Sequence, residues 1–185
     1  MNRIVRLTES YREKVWGVFN LEPWFRSVPD KTGEVWFLNP GPGLLPILVK
    51  FIFTSELLSV QVHPDDEFAW SRGDVSGKTE MWYILHAEPG ARLAMGFREP
   101  VSRERVRDAA LSGEIETMLE WFEARPGQVY FIPPGTVHAL GPGIVLCEIQ
   151  QHADITYRLY DYGRPRELHL EKAIAVSKPG RHTGP

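Results

Sequence analysis

One cysteine, Cys147, stands among 185 residues, which excludes an internal disulfide and cannot build a thiolate-rich zinc site. No stretch approaches 18 uninterrupted apolar residues, so nothing reads as a membrane span. The opening MNRIVRLTES has no sustained apolar segment and does not read as a secretory signal. An excess of either sign of charge is lacking too, with 21 basic against 24 acidic residues. The formal net charge is −3 without a long basic run, which argues against nucleic acid as the main partner. Together these absences favour a cytoplasmic setting. No repeat of fixed period is evident. The length fits a single domain over 1–177, with a flexible tail over 178–185.

What is abundant is punctuation. The 16 glycines and 15 prolines fall in short clusters, such as Asn39-Pro40-Gly41-Pro42-Gly43 and Pro133-Pro134-Gly135, separated by brief apolar runs. That spacing predicts an all-β sandwich or barrel. Strands are expected over 34–37, 46–53, 57–63, 79–87, 91–97, 128–132, 143–151 and 154–162. The aromatic-rich stretch 11–38 reads as an extended, wrapping segment whose rings plug the outside of a sheet. Apolar residues at Val106, Ala109, Ala110, Met118, Leu119 and Phe122 follow helical spacing. They predict a helical insertion over about 102–124, split at Gly113 and placed to shield one mouth of a barrel. Exposed sheet edges make a homodimer an expectation.

The chemistry concentrates in LSVQVHPDDEFAWSRGDVSGKTE. Gln61 and His63 are two apart on a strand and share a face, and Lys78 and Glu80 do the same further on. His138, in PPGTVHAL, is a candidate for a distant fourth corner of a metal site. Asp65, Asp66 and Glu67 lie beside a turn, where carboxylates are solvated or cap. On spacing alone, a half-buried strand with a polar side remains an alternative.

Gly127-x5-Pro133-x-Gly135-x2-His138 resembles the second motif of the cupin superfamily, with Pro142 where an asparagine often follows. Gln61-x-His63 with Glu80 resembles the first motif, with glutamine in place of its first histidine. Together with LLPILVKF, LSVQVHPDDEFA, GKTEMWY, FIPPGTVHAL and ITYRLYDYGR, the sequence resembles the type I mannose-6-phosphate isomerases over roughly 12–176. The resemblance implies a cupin β-barrel or jelly roll holding a metal through Gln61, His63, Glu80 and His138. Two imidazoles, a carboxylate and an amide oxygen suit Zn²⁺, and Fe²⁺, Mn²⁺ or Ni²⁺ fit the same donors. It implies isomerisation of a small sugar phosphate, mannose 6-phosphate to fructose 6-phosphate, through an enediol. In that reaction Arg158 would stabilise negative charge, Lys78 would bind or transfer a proton, and Glu148 would be a base or support a ligand. Family members usually carry a further C-terminal β domain, so the sequence reads as a short form. A metal-containing cupin that binds a sugar phosphate without turnover, or an isomerase of another sugar, remains an alternative.

Overall fold

The computed structural model describes residues 4–180. In chain order the strands are β1 (Thr8–Val18), β2 (Thr32–Leu38), β3 (Ile47–Phe53), β4 (Val60–Val62), β5 (Glu80–Ala87) and β6 (Arg92–Phe97). They continue as β7 (Leu119–Glu123), β8 (Val129–Ile132), β9 (His138–Leu140), β10 (Ile144–Gln151) and β11 (Tyr157–Tyr160). Among the described residues four helices interrupt them: α1 (Asp66–Ser71), α2 (Arg103–Ser112), α3 (Ile115–Met118) and α4 (Leu170–Val176). A six-stranded sheet has the order β1-β2-β3-β10-β5-β8, and a five-stranded sheet the order β11-β4-β9-β6-β7. Every pairing is antiparallel. This is the expected all-β cupin fold.

Alternation decides which face of each sheet does what. Along β10, residues alternate strictly between buried and half-buried positions, so Leu146, Glu148 and Gln150 turn inward together. Between the sheets, Trp82, Ile84 and Leu146 of the six-stranded sheet meet Leu93, Met95 and Leu140 of the five-stranded one. Each such fully buried side chain contributes about 1.5–3 kcal/mol of hydrophobic stabilisation. Sheet-on-sheet packing therefore closes one end of the interior, and the polar residues of the same inward rows open the other.

The helical insertion differs from expectation in two ways. It ends at Met118, and Leu119–Glu123 is a strand paired with β6, Leu93 opposite Phe122. Backbone hydrogen bonds to an available sheet edge outweigh the helical spacing of Leu119 and Phe122. The helices also do not cap a mouth of the barrel. Val106, Ala109, Ala110 and Ile115 pack with Val60, Val62 and Ala139 on the outer face of the five-stranded sheet, and α4 joins them through Ala173 and Ile174.

The stretch 11–38 contributes two strands, β1 and β2, rather than one short one. Its aromatic plug is present as expected. Phe25 sits edge-on to Phe51 at 4.9 Å between ring centroids and to Phe53 at 6.0 Å. Of the expected flexible tail, 178–180 is anchored: Lys178 donates its amide to the Gly135 carbonyl (2.8 Å), and Val101 to that of Pro179 (3.0 Å). Residues 181–185 lie outside the described residues.

Candidate metal centre

Register alone brings the site together. Across the five-stranded sheet, Arg158 lies opposite Gln61 and Gln61 opposite His138. Across the six-stranded sheet, Lys50 pairs with Glu148 and Glu148 with Trp82, while Glu80 faces Gln150 one row away. The two rows look at each other across the interior. Backbone bonds then tie the loops: Gly135 donates to the His63 carbonyl (2.9 Å), and Lys78 to that of Pro64 (3.0 Å). Gly77 permits the second tie, because a Cβ there would stand 2.4 Å from the Asp65 carbonyl carbon.

His63, Glu80 and His138 are all buried, and their candidate ligand atoms lie within 4.8 Å of one another. His63 Nε2 is 3.4 Å from Glu80 Oε2, and His138 Nε2 is 3.4 Å from Glu80 Oε1. These separations match the edge of a tetrahedron built on metal–ligand bonds of about 2.0–2.1 Å. His138 Nδ1 lies 2.9 Å from the Thr136 carbonyl, which only accepts, so Nδ1 carries the proton and Nε2 presents its lone pair to the cluster. His63 Nε2 faces the Lys78 ammonium at 3.1 Å and is likewise the unprotonated nitrogen. Neither Glu80 oxygen accepts a well-formed hydrogen bond, although Lys78 Nζ is 3.0 Å from Oε2. A buried carboxylate so placed is an acceptor awaiting a cation.

Electrostatics points the same way. Burial, then the nearby Lys78 ammonium, push the His63 pKa down to about 3, and burial also lowers that of His138. Both imidazoles are therefore neutral, as ligands must be. Burial would raise the Glu80 carboxyl, but the interactions opposing it, the Lys78 ammonium foremost, outweigh it and hold it well below the ordinary carboxylate range. Gln61 Nε2 is 3.2 Å from His138 Nε2, and its Oε1 accepts from Ser59 Oγ at 3.1 Å. Turning the amide over brings Oε1 to the cluster, and the serine hydroxyl can then accept where it had donated. The residues present fit a divalent metal.

Beside the cluster lies a cavity of about 300 Å³. That is the lower end of the range for small-molecule sites. Five cationic side chains, Lys14, Lys50, Lys78, Arg158 and Arg166, and three carboxylates, Glu34, Glu148 and Asp154, line it. Glu148 Oε2 accepts from Trp82 Nε1 (2.8 Å), and Oε1 lies 2.9 Å from Lys50 Nζ. Burial would depress the Lys50 ammonium, but Glu148 and Glu34 outweigh it and raise its pKa. Arg158 is half-buried, its Nε has no hydrogen-bond partner, and burial with the neighbouring Arg166 lowers its pKa.

All seven residues singled out from the sequence thus converge here. Asp65 instead caps α1, accepting from the Phe68 amide (3.0 Å), and Asp66 accepts from Gly77 (2.8 Å) and Gln151 (2.9 Å). Sequence reasoning missed Lys50, Glu34, Ser59, Arg166 and His169. Lys50 had a signal: one lysine in the otherwise apolar run 46–53, on the face that alternation turns inward.

No family profile matches the chain. It is 38% identical over 151 residues to the mannose-6-phosphate isomerase of Streptococcus mutans, covering 78% of this chain and 48% of that protein. It is 42% identical over 150 residues to the mannose-6-phosphate isomerase ManA of Bacillus subtilis, covering 75% and 47%. The chain thus spans about half the length of these curated relatives. The solved mannose 6-phosphate isomerase of Bacillus subtilis superposes with a TM-score of 0.85 at 31% identity, over 94% of this chain and 68% of that one. A phosphomannose isomerase from Salmonella typhimurium, at 17% identity and a TM-score of 0.73, shares the fold. The chain belongs to the mannose-6-phosphate isomerase family.

Proposed function

We propose that the chain is a metal-dependent aldose–ketose isomerase interconverting mannose 6-phosphate and fructose 6-phosphate through an enediol. One observation carries the reading: the buried His63–Glu80–His138 cluster adjoins, through Gln61 and Lys78, a cavity whose cations outnumber its carboxylates. A sugar phosphate carries close to two negative charges at neutral pH, which such a lining accommodates. The relatives' names support mannose 6-phosphate as that sugar.

Gln61, His63, Glu80 and His138 would hold the metal, with Zn²⁺ first and Fe²⁺, Mn²⁺ or Ni²⁺ as alternatives from the same donor set. When bound, it supplies Lewis acidity at the sugar's oxygens. The rest falls to side chains. Glu148, oriented by Trp82 and Lys50, takes the proton from C2 as base and returns it to C1. Lys78 delivers a proton to the C1 oxygen as the enediol forms, and its amine takes back the C2 hydroxyl proton as the ketose forms. Arg158 stabilises the developing negative charge. Water is restricted by the tryptophan and aliphatic wall of Trp16, Ile52, Leu58 and Trp82.

A cytoplasmic setting belongs to the same reading, supported by the unpaired Cys147 thiol. No helix among the described residues is long and apolar enough to cross a membrane. Homodimerisation is part of it as well. Tyr83, Val129 and Phe131 are 41%, 50% and 60% exposed on the adjacent strands β5 and β8, and sedimentation tests it.

Mannose 6-phosphate deuterated at C2 tests the function. Metal-loaded protein is expected to form fructose 6-phosphate with part of the label at C1, and Glu148→Gln to abolish it. Metal-loaded protein that leaves mannose 6-phosphate unchanged overturns the reading.

A further inference from the structure

The turn after β11 has a backbone that its sequence does not favour. Tyr162 has φ 56° and Gly163 φ 75°, two successive left-handed residues, the first a bulky aromatic. Such a conformation persists only where surrounding contacts over-determine it. Here Tyr162 packs on the helix-side core and edge-on to Tyr160, with ring centroids 4.9 Å apart. Asp161, 2% exposed, accepts the Arg164 amide at its carbonyl (3.0 Å), and its carboxylate grips the guanidinium that the turn brings back. Arg166 Nε donates to Oδ2 at 2.6 Å and Nη2 to Oδ1 at 2.5 Å, a two-pronged, charge-assisted pair.

That grip sets where Arg166 points. A guanidinium carries five N–H donors, and two are committed to Asp161. Among the described residues its Nη1 donates no hydrogen bond, and the side chain lines the cavity while remaining 26% exposed. Arg158 lines the same cavity, with a buried Nε that has no partner and no carboxylate within ion-pair distance among the described residues. Two guanidiniums that repel each other are thus held toward one space. Without the carboxylate behind it, Arg166 has solvent to turn into.

We infer that Asp161, which does not itself line the cavity, is a positioning residue that locks Arg166 beside Arg158 to receive the anionic group of the substrate. This rests on the sugar-phosphate reading above. The role is indirect: Asp161 sets the geometry of a donor that touches substrate, and the same carboxylate bonds Arg164 (3.3 Å), which lies outside the cavity.

The test is Asp161→Asn, which keeps the volume and one acceptor but loses the charge and the second prong. The expected result is a KM for mannose 6-phosphate raised about 10-fold or more, with kcat within about 3-fold and bound metal unchanged. The dissociation constant of inorganic phosphate, measured by calorimetry, should rise by the same factor. Arg166→Ala should raise both constants, and adding Asp161→Asn to it should change neither further. Arg164→Ala should leave both at wild-type values. Should Asp161→Asn fold poorly, Asp161→Glu supplies a second variant, expected to recover part of the phosphate affinity. Equal phosphate affinity in wild type and Asp161→Asn, or fully additive effects in the double variant, overturns the assignment. Phosphate binding is read without turnover, so a wild type that binds phosphate but does not isomerise sinks the isomerase reading alone.

Discussion

Replacing Lys78 with methionine should cost the protein more without metal than with it. Lys78 is 5% exposed, with Nζ 3.0 Å from Glu80 Oε2 and 3.8 Å from Glu148 Oε1. At an effective dielectric of about 20, a unit pair at that closer distance is worth about 5.5 kcal/mol. Leaving the ammonium out also removes its own desolvation cost. The net therefore falls nearer the roughly 3 kcal/mol lower bound for breaking a buried pair, in which the remaining charge is stranded. For a chain of this size that is a fall in Tm of about 6–12 °C. A bound divalent ion gives Glu80 a new cationic partner, and the variant lacks the ammonium that repels that ion. The Tm gain on adding Zn²⁺ should thus be larger in Lys78→Met than in wild type, while turnover falls about 100-fold or more. Thermal unfolding in chelator and in Zn²⁺ measures both arms. Equal destabilisation in the two conditions would refute the view that Lys78 stands in for the metal's charge.

Acid should weaken the metal-free protein well before ordinary carboxylates titrate. His63 holds a pKa near 3 when folded against an ordinary 6.5, so between those values the unfolded chain binds the extra proton. Stability then rises with pH across the window, by up to about 1.4 kcal/mol per pH unit, and is lost as pH falls from 6.5. The lowered pKa values of His138 and Glu80 act in the same direction. Urea midpoints at pH 7 and pH 5 should show the drop, and equal midpoints would contradict it. Gly77→Ala should destabilise by about 2 kcal/mol or more, since its Cβ meets the Asp65–Asp66 backbone at 2.4–2.6 Å. It should also lower kcat by displacing Lys78, and wild-type stability with wild-type kcat would contradict that.

Much of the site was readable because it depends on period two. Gln61 with His63, and Lys78 with Glu80, needed only the alternation of a strand to share a face, and register did the rest. The same alternation exposes Lys50 and Glu34 as inward-facing charges, though their partners sit on strands remote in sequence. Leu119 and Phe122 misled for a physical reason: four or five residues fit a helix or a strand equally well until β6 offers an edge. The helices α1 and α4 are only six and seven residues long, too short for periodicity to announce. Arg166 lies beyond a left-handed turn, where no repeating pattern says which way a side chain returns.

In the proposed sugar-phosphate isomerase, His63, Glu80 and His138, with Gln61, hold the metal. The decisive measurement is a titration of metal-free protein with Zn²⁺ while fructose 6-phosphate formation from mannose 6-phosphate is followed. Turnover should rise from near zero to a plateau at one ion per chain and stay flat in His138→Ala. Turnover that ignores the metal, that survives in His138→Ala, or that never appears at any loading would contradict it.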